Sequence, residues 1–248
     1  MTMSTDVPSA PVAIVTGAGR NIGRSIALEL AAWGADVVII VRSNRAEAEH
    51  VAAEVRALGR RARVAIADVR DEQAVTSIAD DALGLGRPTV LVNNAAVRPE
   101  APFLELTRSD WQDVTSVVLD GAFVCAQAVL PHMLEAGWGR IVNIAGLTGQ
   151  TGASHRAHVV AAKAGLIGLT KALALEYAAH NITVNAVSPG KIDTTRVDGP
   201  PRHYADRQTP VGRPGRPREV AAMVRYLVSD KAAFITGQIM NVNGGLLT

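Results

Sequence analysis

Short apolar runs alternate with stretches of helical periodicity along almost the whole chain. Runs rich in Val, Ile and Ala fall at residues 12–15, 36–41, 63–66, 89–92, 139–144, 183–187 and 238–242. They are mostly continuous rather than alternating, the pattern of strands covered on both faces. Between them, residues 23–33, 46–58, 72–83, 109–133, 159–178 and 217–227 carry the three-to-four spacing of helices. Strand and helix in turn predict an α/β fold, one doubly wound seven-stranded parallel sheet flanked by helices. Pro217 suits the first turn of the last helix, whereas Pro131 is expected to end or kink a long one. Residues 193–216, rich in Pro and Arg and without periodicity, read as a substrate loop or lid, with His203 and Tyr204 beside Arg202 as candidates to close over a ligand. Residues 1–10 read as a flexible N-terminus and 11–248 as a single domain.

Composition narrows the function classes. With 4% aromatic residues and a formal net charge of +2, the chain has neither the stacking platform nor the basic block of a nucleic-acid binder. The single cysteine, Cys125, cannot form an internal disulfide and reads as a small buried hydrophobe, and no His or Cys set has metal-ligand spacing, so no metal is expected. The contiguous apolar runs are too short to cross a bilayer and the first ten residues lack a signal-peptide pattern; a cytoplasmic protein without a membrane partner is expected.

Candidate chemistry begins after the first strand, where Thr16-Gly17-Ala18-Gly19-Arg20-Asn21-Ile22-Gly23 leads into an amphipathic helix. Glycines in a strand–turn–helix unit let backbone N–H groups approach a pyrophosphate, which makes the domain Rossmann-type. At the end of the second strand, where an acidic residue would bind the ribose hydroxyls of NAD, the chain has Val41-Arg42. Arg42 and Arg20 are placed to pair with a 2′-phosphate, so NADP(H) is favoured over NAD(H).

These residues, together with Asp68-Val69, Asn93-Asn94-Ala95-Ala96, Lys163 in Ala-Ala-Lys-Ala-Gly and Pro189-Gly190-Lys191-Ile192-Asp193-Thr194, resemble the short-chain dehydrogenase/reductase family from about residue 12 to 245. The resemblance implies a nicotinamide cofactor across the strand C-terminal ends. Gly17, Arg20, Asn21 and Ile22 of the glycine turn would bind the cofactor, with Asp68 and Val69 by adenine, Asn94 by the adenosine ribose and Ala95 also on the cofactor. Pro189, Gly190, Ile192 and Thr194 would lie by the nicotinamide, with Lys163 on the nicotinamide ribose. It also implies a small-molecule substrate and a homodimer or tetramer built through the long helices.

The chemistry end departs from that family. Its carbonyl reductases carry a Tyr four residues before the Lys, a Ser thirteen before that Tyr and an Asn in the long helix; the corresponding residues here are Val159, Gly146 and Val118. Of the four groups only Lys163 remains. The rim at 148–158 offers His155, Arg156 and His158 as substitutes: if the helix began one turn earlier, His155 would share a face with Val159 and Lys163, while His158 is closer in sequence. Arg156 suggests a carboxylate-bearing substrate. Three readings stay open: an NADP(H)-dependent oxidoreductase with a rebuilt acid–base group, a non-redox dehydratase, isomerase or lyase on the same fold, and an inactive partner of an active paralogue.

Overall fold

The computed structural model describes residues 10–195 and 208–248. The strands β1 (Val12–Thr16), β2 (Asp36–Val41), β3 (Ala62–Ile66), β4 (Pro88–Asn93), β5 (Gly139–Ile144), β6 (Ile182–Pro189) and β7 (Ile239–Val242) form one sheet in the order β3-β2-β1-β4-β5-β6-β7. Every pairing is parallel. The helices are α1 (Asn21–Trp33), α2 (Arg45–Ala57), α3 (Glu72–Asp81), α4 (Arg108–Thr115), α5 (Gly121–Ala136), the one-turn α6 (Thr148–Thr151), α7 (Ala157–Tyr177) and α8 (Pro217–Val228). The strand order runs outward from β1 one way and from β4 the other. Connections leave the C-terminal ends of these two strands in opposite directions and open a crevice there.

Strand alternation feeds two cores. Ala13, Val15, Val37, Ile39 and Val41 join Ile26 and Leu30 of α1 and Val224 and Leu227 of α8. Val12, Ile14, Val38 and Ile40 join Val129 and Met133 of α5 and Val75 of α3. Because both faces of the central strands are covered, those strands are apolar at most positions, and each buried Val, Ile or Leu stabilises the fold by about 1.5–3 kcal/mol.

The long-helix region differs from expectation. Residues 108–136 are helical throughout, with a single π turn at Ser116–Asp120 between α4 and α5. Pro131 lies inside α5 and does not end it; the helix stops at Gly137, in the left-handed conformation at φ 63°. Pro131 and Gln127, whose carbonyl loses its N–H donor, are both exposed, so water can replace the missing bond. The stretches Arg108–Ala136 and Ala157–His180 are long and apolar enough to cross a membrane by length and composition. Here α5 packs on β4 and β5 and α7 on β6.

The expected loop begins and ends in defined structure. Ile192 pairs with Gly215, Asp193 N donates to Gly215 O at 2.8 Å, and Gly215 N donates to Lys191 O at 2.9 Å. Arg213 pairs with Glu219 of α8 at 2.6 Å. Arg202, His203 and Tyr204 lie outside the described residues, as do residues 1–9 of the expected flexible N-terminus.

Candidate functional site

The turn after β1 is shaped by what surrounds its glycines. Gly17 has φ 63°, and a Cβ on Gly23 would fall well inside contact distance of Gly17 O and 2.6 Å from Asn94 Nδ2. Asn94 holds this turn from below: its Nδ2 donates to Thr16 O at 2.9 Å and to Gly17 O at 3.0 Å. Thr16 Oγ1 accepts from the backbone N–H groups of Asn94 and Ala95, both at 3.0 Å. Asn21 takes φ 52°, a conformation Asn tolerates. No side chain caps α1, so its first N–H groups and positive dipole end face the turn. Ile22 is buried in the core beneath it.

Arg20 and Arg42 are both exposed and form no ion pair among the described residues. Asp68 accepts from Arg70 Nε at 2.9 Å, Nη2 at 2.6 Å and the backbone N at 3.1 Å. These bonds, above all that of the guanidinium, hold its carboxyl below the usual range, and the charge of Arg42 adds to the effect. Val69 is buried against Gly121, where a Cβ would come 2.6 Å from Val69 Cγ2.

The crevice's other wall comes from the end of β6. A Cβ on Gly190 would meet Asn243 Cα at 2.8 Å, and Leu147 N donates to Pro189 O at 3.0 Å, tying the segment after β5 to this wall. Asn21 Nδ2 donates to Thr195 O at 2.9 Å and its Oδ1 accepts from Thr195 N at 3.0 Å. The glycine turn and the segment carrying Ile192 and Thr194 are thereby joined. Thr194 Oγ1 is buried with no hydrogen-bond partner among the described residues. An orphaned hydroxyl beside a side-chain-free turn and an uncapped helix end fits a polar, phosphate-bearing group.

Farther along, positions 118 and 159 are filled by packed apolar side chains, while Gly146 borders open space. Val118, from the π turn, and Val159, from α7, belong to one apolar cluster with Val114, Ala122, Ala162 and Leu166. Gly146 has φ +135°, a conformation that strains any L side chain, although a Cβ there would meet nothing within 4 Å. Lys163, 5% exposed, donates from Nζ to Ile144 O at 2.5 Å. Burial pushes its pKa down to about 7, and the charges of Arg98 and Arg156 act in the same direction.

The histidine expectations need correction. α7 begins at Ala157, and Gly152 (φ 75°) and His155 (φ 59°) both take left-handed backbone, which a right-handed helix cannot continue through. His155 is therefore off the helix, exposed, and does not share a face with Val159 and Lys163; its carbonyl accepts from Ala101 N at 2.9 Å. His158 stands in the first turn of α7 but is fully buried, with both ring nitrogens unpartnered among the described residues. Burial, reinforced by Arg156 and opposed by Asp110, lowers its pKa and keeps it neutral. Arg156 is itself buried. Cys125 is buried as expected, its thiol pushed up to about 12. Among the described residues no group of three or more His, Cys, Asp or Glu could hold a metal.

Sequence reasoning placed Thr16 in the glycine motif without a role, although its hydroxyl organises the start of the Asn94 segment, and it missed Arg70, which pairs with Asp68. The i, i+2 spacing of Asp68 and Arg70 was the available signal; nothing local gave Thr16 a role, because its donors, Asn94 and Ala95, follow β4 far along the chain.

A parallel sheet in this order, with a glycine turn at its switch point, defines a dinucleotide-binding class of fold. A family described as enoyl-(acyl carrier protein) reductase matches residues 17–247. The chain is 41% identical over 241 residues to a Synechocystis protein named 3-oxoacyl-[acyl-carrier-protein] reductase, covering 96% of this chain and 98% of that one. It is 39% identical over 239 residues to a FabG protein of the same name from Pseudomonas aeruginosa, covering 95% and 96%. Among solved structures, acetoin dehydrogenase YohF from Salmonella typhimurium is similar with TM-score 0.87 and 37% identity over 95% of each chain. The chain belongs to the short-chain dehydrogenase/reductase family of oxidoreductases.

Proposed function

We propose that the protein is an NADP(H)-dependent oxidoreductase acting on a small carbonyl or alcohol compound, with Lys163 rather than a tyrosine moving the proton. The observation that carries this reading is the glycine turn beneath an uncapped helix N-terminus, where Gly23 has no room for a side chain. Gly17, Asn21 and the α1 N-terminus would hold the phosphates, with Ile22 beneath them. Arg20 and Arg42 would pair with the 2′-phosphate, Asp68 and Val69 would flank adenine, and Asn94 and Ala95 the adenosine ribose. Pro189, Gly190, Ile192 and Thr194 would line the nicotinamide end, and Lys163 would reach its ribose. When bound, the nicotinamide supplies or accepts the hydride. Val118 and Val159 exclude water, and Lys163, with its pKa near 7, gives or takes a proton at the substrate oxygen. Neither buried His158 nor His155, displaced from α7, is assigned that role.

Fluorescence titration with NADPH and NADH tests the reading. Arg42→Ala is expected to weaken NADPH about tenfold, the loss of one charge-assisted phosphate contact, while leaving NADH unchanged. No binding of either dinucleotide overturns it. The apolar filling of the Asn and Tyr positions by Val118 and Val159 supports a second reading, a non-redox enzyme, for which turnover without change in nicotinamide absorbance is the signature. We further propose a cytoplasmic homo-oligomer; exposed Phe123 and Leu134 of α5 and Leu175 of α7 support the assembly, and light scattering in solution tests it.

A further inference from the structure

We propose that Arg70 is a positioning residue for dinucleotide choice: by occupying Asp68 it leaves Arg42 free to take the 2′-phosphate of NADP(H). This rests on Arg42 being the ligand of that phosphate, as proposed for the cofactor, and adds a residue that acts through another side chain.

Strand register brings the groups together. Val41 and Ile66 are partners on the last rung between β2 and β3, and Ala67 N donates to Val41 O at 3.0 Å. Arg42 leaves β2 one residue past that rung and Asp68 leaves β3 two residues past it, on parallel strands spaced about 4.8 Å apart. The Arg42 side chain is long enough to span that gap. Yet Arg42 is exposed and forms no ion pair among the described residues. Asp68 is taken by Arg70 instead. Its Oδ1 accepts from Arg70 N at 3.1 Å and Nε at 2.9 Å, which uses both lone pairs of that oxygen, and its Oδ2 accepts from Nη2 at 2.6 Å. Nη1 of Arg70 stands 3.7 Å from Asp113 Oδ1 on α4, so the guanidinium is held from both sides. A two-pronged bond of this kind is stronger than a single exposed contact to Arg42 would be. The Arg70 bonds are the main cause that holds the Asp68 carboxyl below its usual range, and the field of Arg42 adds to it, as their proximity requires. Glu47, the other carboxylate on this side, has Oε2 3.6 Å from where a Cβ on Gly19 would stand and forms no ion pair among the described residues.

An unoccupied Asp68 would act on a 2′-phosphate twice, repelling it directly and drawing Arg42 away. Arg70 cancels both effects. NADH carries no such phosphate and is indifferent to them. The readout is therefore the ratio of the NADH to the NADPH dissociation constant, from fluorescence titrations. Arg70→Ala is expected to lower that ratio roughly two- to fivefold, the range of one exposed ion pair, by weakening NADPH and leaving NADH unchanged. Combining Arg70→Ala with Asp68→Asn is expected to restore the ratio, because the competing charge is gone while the side chain keeps its shape. Arg70→Lys keeps the charge without the fork, and its ratio is expected to fall between those of the parent and Arg70→Ala. A purely structural role for Arg70 in the turn at 68–71 would weaken both dinucleotides together, with no rescue by Asp68→Asn. That result overturns the proposal, as does an unchanged ratio. If the parent binds NADPH and the ratio does not move, only the role of Arg70 falls; if the parent binds neither dinucleotide, the cofactor reading falls with it.

Discussion

Asn21 and Thr195 join the two walls of the crevice through a reciprocal pair of hydrogen bonds, side-chain amide to carbonyl at 2.9 Å and backbone N–H to side-chain oxygen at 3.0 Å. Asn21 sits at the start of α1 and Thr195 beyond the end of β6, so the clasp crosses the mouth in which a dinucleotide would lie. Asn21 also has φ 52°, which glycine accepts without strain. Asn21→Gly therefore removes the clasp while preserving the turn. With two hydrogen bonds worth about 0.5–1.5 kcal/mol each, it is expected to weaken NADPH binding on the order of tenfold, measured by fluorescence titration. Unchanged affinity would falsify a role for the clasp in holding the crevice.

Gly23 makes a sharper demand. A methyl group there meets Asn94 Nδ2 at 2.6 Å and crowds the Gly17 carbonyl, so either the turn or the Asn94 brace must move. Gly23→Ala is expected to abolish dinucleotide binding and to destabilise the fold by roughly 1–3 kcal/mol, lowering Tm by several degrees. A variant that melts and binds like the parent would show that the turn yields freely.

Placing a tyrosine at position 159 is expected to fail to confer carbonyl reduction. Val159 is packed among Val114, Val118 and Leu166, with no space for a phenol ring, so Val159→Tyr overpacks the cluster. A loss of roughly 1–3 kcal/mol in urea unfolding is expected, without gain of carbonyl reduction. Adding Gly146→Ser worsens it, because φ +135° strains serine even where space is open. Robust reductase activity in the double variant would mean that the cluster repacks easily.

Buried His158 sets a pH dependence. Its folded pKa is lowered from 6.5, so below about pH 6.5 the unfolded chain binds a proton that the folded chain does not. Stability above that pH is unaffected by this group and falls as pH drops toward the lowered value. Asp110 limits the effect and Arg156 strengthens it. His158→Leu is expected to flatten the decline in Tm as pH falls below about 6.5, read by thermal melts across a pH series. An unchanged slope would place the acid sensitivity elsewhere.

Much of this architecture was readable from local pattern. The expected strand at 183–187 lies within β6 (Ile182–Pro189), and the expected helix at 159–178 begins two residues after α7 does. Helix α6 escaped notice because Thr-Gly-Gln-Thr has weak helix propensity. It is held from outside, where Gln150 Nε2 donates to Ser188 Oγ at 2.7 Å and Asn241 Oδ1 at 2.8 Å. The π turn at Ser116–Asp120 was equally silent, since it adjusts how one long helix packs rather than how its residues alternate.

The chain's sequence by itself determined the seven-stranded plan, the glycine turn and the valines and glycine at positions 118, 159 and 146, because periodicity, turn chemistry and residue identity are local properties. Only the tertiary structure decided that Val118 and Val159 share one cluster, that His158 is buried while His155 turns off the helix, and that Asn21 reaches Thr195. Those outcomes depend on how elements far apart in the chain pack against one another. The same packing that removes water from Lys163 also weakens its hold on a proton, and no spacing of residues along the chain expresses that.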